Sequence, residues 1–429
     1  MQGSGTKRAS FAEVLRNRDF LALWLGQIIS QIGDSFTYLA LLITVNQLTG
    51  STSAMGAMMI SLTLPPLLLS FLAGAIADRV DRKRLMVASD LLRGLLVLAF
   101  LTVRSAEQVY IFYIVGFLVS SVSLLFAPAK TAMIPRIVEG EDRLLTANAL
   151  SQTVRVVSLL IGPALAGFVI GWLGPGVAFF VDSLTFLASA IAILTISTSG
   201  KTTDTERVSP GMLWHRLVQG LSYTIRHRTV LGIIITLLVA FLGIGAIEVL
   251  FVPYLQGEFG ARPEALGLVQ TAQGVGMLVG SVLVGNLAAR FRLTRIIAWS
   301  IALLGAGVAA CGLVGQFVLI PIATFVAGLA LAPINAALTT LMQVTVPNDK
   351  LGRVGSVVDS TTTVSYVISM GGAAFVADAL GIRTVFILAG IITALSALPA
   401  LTMMKEPQTP TPSQPMVGSP HPAEYPVEG

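Results

Sequence analysis

Charged residues are scarce in this sequence. Asp, Glu, Lys and Arg make up 11% of its 429 residues, whereas they make up about 25% of a typical soluble domain. Apolar residues make up 54%, and the mean hydropathy is +0.83. The low charge excludes an ordinary soluble globular protein, and the high hydropathy predicts an integral membrane protein in contact with the lipid bilayer.

Side chains that ligate metals or form disulfides are also scarce. Cys311 is the only cysteine, and His215, His227 and His421 all lie outside the long apolar runs. A disulfide framework, a cysteine-based metal site and a relay of histidines across a membrane are therefore excluded. We expect no metal, no cofactor and no enzymatic activity. Because the sequence has no ATP-binding motif, energy for any active process must come from a gradient.

Long apolar runs dominate the chain. Twelve of them have the length of a membrane-spanning helix, about 17 to 25 residues, and lack paired charges. They are apolar on every side, whereas the strands of a membrane barrel would alternate. The predicted fold class is all-α, with spans near residues 20–44, 54–77, 85–103, 109–127, 147–171, 177–196, 230–252, 265–288, 294–313, 317–341, 354–377 and 382–403.

Lys and Arg are distributed unevenly between the loops. If the N-terminus is cytoplasmic, 22 of the 27 fall in cytoplasmic segments, and only Arg104, Arg262 and Arg383 fall in outer loops. Cytoplasmic loops of membrane proteins carry such an excess. We therefore predict that both termini are cytoplasmic. The net charge of +5 follows from this topology and gives no reason to expect a nucleic-acid partner.

The spans form two similar sets of six. The segment GAIADRVDRKR (74–84) after span 2 recurs after span 8 as GNLAARFRLTR (285–295), 211 residues later. Parallel repeats of this kind occur in one large class of secondary transporters. The predicted organisation is a cytoplasmic segment 1–19, a first half 20–196, a cytoplasmic central loop 197–229, a second half 230–404 and a disordered proline-rich tail 405–429.

Polar residues on span 1 follow helical spacing. Gln27, Gln31, Asp34 and Tyr38 make one stripe along a helix, and Asp34 falls near the bilayer midplane. A charge inside a bilayer is costly unless it is paired or hydrated. The stripe therefore predicts that span 1 lines a central cavity.

Other ionisable side chains also fall inside spans. The candidates for proton coupling are Asp34, Glu248, Asp182 and Arg155. Asp90 and Arg93 lie three residues apart on span 3 and are predicted to pair on one helix face. For Asp90, Arg93 and Asp182, a structural ion pair or a helix cap is the alternative to a transport role.

Six further polar residues could line the cavity. Each of them could equally form a hydrogen bond between helices, worth under about 1 kcal/mol. They are Gln270, Gln273, Asn335, Thr339, Thr362 and Tyr366.

The loop after span 2 resembles the G-x-x-x-D-R-x-x-R-[KR] signature of the major facilitator superfamily. Gly74, Asp78, Arg79, Arg82 and Lys83 occupy all of its specified positions. The first half is also similar to the drug:proton antiporter branch that includes macrolide efflux pumps and enterobactin exporters. The similar segments are WLGQIISQIGDSFTYLAL, FAPAKTAMIPRI, ANALSQT, GPALAG and FFVDSLTFLASA.

This resemblance implies a conformational latch formed by Gly74, Asp78, Arg79 and Arg82. Asp78 would cap span 11 near residues 351–356 and hold the outward-open state, because a carboxylate at a helix N-terminus is stabilised by the helix dipole. The alternative is that the basic residues only fix the topology.

The resemblance implies a secondary transporter of a bacterial plasma membrane. We expect it to export a hydrophobic or amphipathic small molecule, such as a drug, macrolide or siderophore, by proton antiport, with two halves that rock around a midplane site. The alternatives are a proton symporter or uniporter that imports a small solute, and a membrane binding protein without transport. The substrate, the coupling ion and the oligomeric state stay open at this point.

Overall fold

The computed structural model describes residues 10–201 and 221–405. Within these ranges all regular structure is helical, and twelve helices are long and apolar enough to cross a membrane, which confirms the predicted fold class. They are α1 (Arg18–Thr49), α2 (Thr52–Ala77), α3 (Arg82–Leu98), α4 (Val109–Ile137), α5 (Glu141–Leu173), α6 (Pro175–Leu194), α7 (Arg228–Phe259), α8 (Pro263–Arg290), α9 (Leu293–Leu313), α10 (Ile320–Thr345), α11 (Asn348–Leu380) and α12 (Ile382–Leu395, continued by Ala397–Met403).

Several helices extend beyond the predicted apolar runs. The helix α5 begins at Glu141, six residues before the predicted span. Polar caps explain such extensions at two helix starts, where the Asn17 side chain accepts a hydrogen bond from the backbone of Asp19 at 3.0 Å and Asp81 accepts one from Arg84 at 2.9 Å. Most of the predicted central loop, and all of the predicted disordered tail except Lys405, lie outside the described residues.

The twelve helices pack as two copies of one six-helix arrangement. In the first half α1 packs against α5 and α6, α3 against α4 and α6, and α2 against α4. Each of these pairs recurs in the second half with every helix number raised by six. The contacts between the halves are symmetric in the same way. The helix α2 packs against α11, and their counterparts in the other half, α8 and α5, also pack against each other. The two halves that repeat in the sequence therefore also repeat the same set of helix contacts.

Backbone turns repeat in the same way. Gly50 and Gly260 end α1 and α7 with φ of 57° and 60°, and Gly174 and Gly381 connect α5 to α6 and α11 to α12 with φ of 84° and 82°. Glycine adopts positive φ without the steric cost that a side chain would add. The two halves therefore use the same residue type at the same turns.

Within the described residues, hydrogen bonds and ion pairs between the halves are absent from one end of the molecule. We call the end with residues 78–84 the basic end and the opposite end the far end. At the far end, Asn46 Nδ2 donates to Gln256 Oε1 at 2.8 Å and Thr52 Oγ1 donates to Asp378 Oδ1 at 2.9 Å. No hydrogen bond or ion pair between described residues joins the halves at the basic end. The space between the halves is therefore sealed at the far end.

Candidate functional site

A cavity of about 600 Å³ lies between the two halves. This volume falls within the range of about 300–1,000 Å³ that is usual for small-molecule sites. The helices α1 and α5 of the first half and α7, α8, α9, α10 and α12 of the second half form its walls. The lining side chains are Gln31, Asp34, Ser35, Tyr38, Leu42, Arg155, Ser158, Leu159, Pro163, Ile247, Glu248, Phe251, Gln270, Gln273, Val308, Cys311, Thr324, Ala327 and Phe386.

The cavity brings together most of the ionisable and amide residues selected from the sequence as candidates for proton coupling or for lining a cavity. The seven that line it are Gln31, Asp34, Tyr38, Arg155, Glu248, Gln270 and Gln273. They come from four helices and both halves, so they can contact one bound molecule only in the folded protein. Tyr366 lies just outside this lining, where it interacts with Glu248 and packs edge-on against Phe241.

Besides Tyr366, four residues predicted to line the cavity do not line it: Gln27, Asn335, Thr339 and Thr362. Gln27 is 6% exposed and is covered by α4, whose Lys130 Nζ donates to Gln27 Oε1 at 3.2 Å. The hydroxyl of Thr339 donates to Asn335 O at 2.8 Å, and that of Thr362 donates to the backbone of Asp359 at 2.9 Å. A hydroxyl within a span can therefore be satisfied by its own helix and needs no cavity.

The sequence analysis missed several lining residues. Ser158 lies three residues after Arg155, so its position on α5 could have been inferred from helical spacing. Phe251 follows Glu248 by the same spacing. Phe386 comes from α12, and no local pattern distinguishes it from the other apolar residues of that helix.

Glu248 connects the two halves. Tyr38 on α1 donates a hydrogen bond to Glu248 Oε1 on α7. Hydrogen bonds to a carboxylate are stronger than those between neutral groups. Opening of the far end requires α1 and α7 to separate, so this bond belongs to the closed arrangement.

Arg155 reaches the cavity without a fixed counter-ion. Its side chain is exposed to the cavity, and no described carboxylate lies within ion-pair distance of it. The cavity therefore presents one cation from the first half beside two carboxylates, Asp34 and Glu248.

A second group of charges lies behind α1. Arg93 on α3 is 6% exposed and contacts Asp90, as their spacing predicts. The same guanidinium has its Nη1 at 3.8 Å from Asp34 Oδ1, and it lies over the ring of Phe186 at 4.2 Å. The Asp34 side chain is 49% exposed and lines the cavity. Asp34 is therefore part of both the cavity wall and this buried group of charges.

Asp182 on α6 completes this group, and its side chain does not line the cavity. It is 1% exposed and interacts electrostatically with Asp34 and Arg93. Gly33 permits the approach, because a Cβ at position 33 would overlap the side chains of Asp182 and Thr185. We call Asp34, Asp90, Arg93 and Asp182 the charge cluster.

The residues of the predicted latch lie at the basic end. Asp78 ends α2 and is exposed. Arg82 Nη1 donates to Ala132 O at 3.2 Å, and its backbone N–H donates to Gly200 O at 3.0 Å. No described hydrogen bond joins Asp78 or Arg79 to α11, and a Cβ added to Gly74 would meet nothing within 4 Å. The latch residues are therefore not engaged with α11 in this conformation.

A family model described as the transmembrane secretion effector, a major facilitator family, matches residues 9–423. The chain belongs to this family. It is a membrane transporter of the major facilitator type.

Two relatives illustrate the family. The transporter is 28% identical over 394 residues to the MFS-type transporter YfiS of Bacillus subtilis, and the matched region covers 89% of this chain and 92% of YfiS. It is 22% identical over 377 residues to macrolide efflux protein A of Streptococcus pyogenes, with 87% of this chain and 93% of that protein covered.

A solved structure supports the fold of the transporter. A bacterial homologue of the iron transporter ferroportin in an inward-facing state superimposes with a TM-score of 0.72 over 90% of this chain and 99% of the other, at 14% identity. At this identity the likeness supports the fold alone.

Proposed function

We propose that the transporter exports a hydrophobic or amphipathic small molecule from the cytoplasm in exchange for protons. The observation that carries this proposal is the cavity between the halves, where mostly apolar walls surround Asp34, Glu248 and Arg155. An apolar wall suits a drug-sized amphipathic molecule, and the carboxylates supply groups that can bind protons. The relation to macrolide efflux protein A supports the direction of export.

We further propose that the basic end faces the cytoplasm, so that this conformation is open inward. The excess of Lys and Arg in the segments at that end supports this orientation. To release substrate outside, the halves would rock until the far end opens, which requires the bonds Tyr38–Glu248, Asn46–Gln256 and Thr52–Asp378 to break.

Closure of the basic end would engage the latch. The helix α11 begins at Asn348, and its first backbone N–H groups could receive the carboxylate of Asp78 when the halves approach there. Gly74 has free space beside it for this approach. The latch would then stabilise the outward-open state, whose far-end bonds are broken.

Asp34 is the proposed entry point for protons, because it is the member of the charge cluster that reaches the cavity. Glu248 would act as substrate contact and gate, since its hydrogen bond with Tyr38 spans both halves. Arg155 would balance the carboxylate charge in the cavity and would be available to an acidic group of a substrate.

The first test is the direction of transport. Cells with and without the protein would be loaded with a panel of fluorescent or radiolabelled amphipathic compounds, including a macrolide, and the retained amount measured. We expect faster loss of at least one compound, abolished by Asp34→Asn and retained in Glu258→Gln, which alters an exposed far-end ion pair with Arg383. Faster accumulation of a panel compound would instead support import by symport or uniport.

A further inference from the structure

The charge cluster holds more carboxyl groups than cations. Arg93 is the only described cation in contact with it, and the three carboxyl groups come from α1, α3 and α6. Charges within a membrane span are stable only when they are paired or hydrated. Arg93 contacts Asp90 and lies near Asp34, which cavity water can also reach, so both of these carboxylates are compensated.

Asp182 is not compensated in this way. Its side chain is 1% exposed, no cation lies within ion-pair distance, and its Oδ2 has no hydrogen-bond partner among the described residues. Its polar neighbours are neutral: Oδ1 accepts from the Thr185 hydroxyl at 3.1 Å, and the Thr37 hydroxyl of α1 also faces the carboxyl group. Removing an ionised carboxylate from water without a partner is far more costly than removing a neutral carboxyl group.

The elements packed against α6 are α1, α3, α5 and the segment 99–102. The helix α1 presents Asp34 with Thr37, and α3 presents Asp90 with Arg93. The part of α5 after Arg155 has no titratable side chain, and the segment 99–102 has none either. Among the described residues, no further cation therefore faces Asp182.

The second half shows that the fold does not need charges at these positions. Aligned on the repeats, Asp90 and Arg93 correspond to Ile301 and Leu304, which pack in an apolar cluster. Asp182 corresponds to Ala389 of the same cluster. Because the same arrangement of helices packs there with apolar residues, the charge cluster serves something other than packing.

We propose that Asp182 stores a proton that enters and leaves through Asp34. This inference rests on the proposed proton coupling and names the group that holds the proton. A proton from cavity water binds the Asp34 carboxylate, passes to the carboxylate of Asp182, and leaves Asp34 ionised beside Arg93, as the structure has it. Release follows the reverse path, and Arg93 is then shared between the ionised carboxylates.

Infrared spectroscopy of the transporter, purified free of lipid in a detergent without ester groups, tests this directly, because a protonated carboxyl group then gives the carbonyl stretch above the amide bands. Near neutral pH we expect such a band in the wild-type protein and in Asp34→Asn, and its loss in Asp182→Asn. Glu258→Gln is the control and should keep it. If Asp182→Asn does not fold, Thr185→Val serves, since loss of the hydroxyl should shift the band to higher frequency.

A transport measurement on the same variants complements the spectra. In liposomes, Asp182→Asn should lose uphill transport driven by a pH difference while exchange of substrate against substrate persists, and Asp182→Glu should restore part of the uphill transport. Normal uphill transport in Asp182→Asn, with the band unchanged, would overturn the inference. So would the absence of the band in wild-type protein.

These outcomes separate this inference from the proposed function. If the band depends on Asp182 but no pH difference drives transport, the protonation of Asp182 is supported and the proposed proton antiport is wrong. If the wild-type protein is an antiporter but Asp182→Asn is normal in both measurements, antiport stands and the storage role fails.

Discussion

The two halves of the transporter share a packing arrangement and differ in what fills it. In the first half, Gly33 lets α6 approach α1 so closely that Asp182 and Thr185 lie against the backbone. In the second half, Gly243 does the same for α12, but its neighbours are Ala389 and Thr393. Small residues at helix contacts let backbones approach in both halves. The packing is therefore common to both, and among the residues that the structure describes the buried charged side chains belong to the first half.

The cavity carboxylates differ in a related way. Asp34 shares Arg93 with a buried group of its own half, whereas Glu248 is bound by Tyr38 from the other half. The first arrangement couples a cavity residue to a site that stays within one rigid unit. The second arrangement changes whenever the halves move. This difference supports the proposal that protons bind in the first half and that the contact between the halves acts as a gate.

The largest effect is expected from Arg93→Met. It removes the cation from a buried ion pair and leaves Asp90 uncompensated, which costs about 3–5 kcal/mol. The matched variant in the second half, Leu304→Met, changes only shape and should cost under about 1.5 kcal/mol. Thermal unfolding of both purified variants measures the difference. Equal melting temperatures of the two variants would contradict the claim that the first half depends on a buried ion pair at a position where the second half needs only an apolar side chain.

Asp78→Asn should strongly reduce transport without changing the amount of protein in the membrane. An amide cannot supply the negative charge that a helix N-terminus favours. The repeat places Ala289 at the equivalent position of the second half, so Ala289→Asn is the matched control and should transport normally. Efflux and membrane abundance would be measured together, and normal efflux in Asp78→Asn would exclude the latch.

A smaller effect is expected from Tyr38→Phe, which removes one hydrogen bond from the sealed side. A hydrogen bond to a charged group contributes about 1.5–3 kcal/mol, so the far end should open roughly tenfold more often, or more. Leu42 is buried, lines the cavity and makes none of the far-end hydrogen bonds, so the rate at which an impermeant thiol reagent labels Leu42→Cys in whole cells, in a Cys311→Ala background, reports this opening. An unchanged labelling rate would show that Glu248 does not hold the far end closed.

Glu248→Gln should weaken uphill efflux without abolishing it, because the amide oxygen can still accept from Tyr38. Its effect should be smaller than that of Asp34→Asn in the same efflux assay. A complete loss in Glu248→Gln, with Asp34→Asn unaffected, would transfer proton binding to the second half.

The smallest effect on transport is expected from two cysteine variants that test the topology, both of which should transport normally. In whole cells, an impermeant thiol reagent should not react with Lys201→Cys and should react with Arg262→Cys, both in a Cys311→Ala background. Reaction at position 201 would place the basic end outside.

The number of spans could be predicted from the sequence because apolar length alone determines which helices can cross a membrane. The repeat was visible where polar motifs recur, as at Gly74 and Gly285. Helical spacing also predicted the contact between Asp90 and Arg93 and the cavity position of Asp34. These features depend on neighbours along the chain or on one face of one helix.

The rest depends on neighbours from distant helices. No local pattern places Asp34 beside Arg93, and none places Asp182 behind Gly33 instead of in the cavity. Gln27 belongs to the stripe on α1, but Lys130 from α4 covers it. Thr339 and Thr362 are polar in the sequence and satisfied within their own helices. Polarity within a span therefore identifies candidates, and packing decides which of them reach the cavity.

The most direct test of the account is proton movement driven by substrate in liposomes that contain the purified transporter. With an internal pH indicator and a substrate found by the efflux panel, a substrate gradient should move protons in the opposite direction in wild-type protein. Asp34→Asn should abolish this movement and still exchange labelled for unlabelled substrate. If Asp34→Asn moves protons like the wild-type protein, the assignment of proton coupling to the first half is wrong.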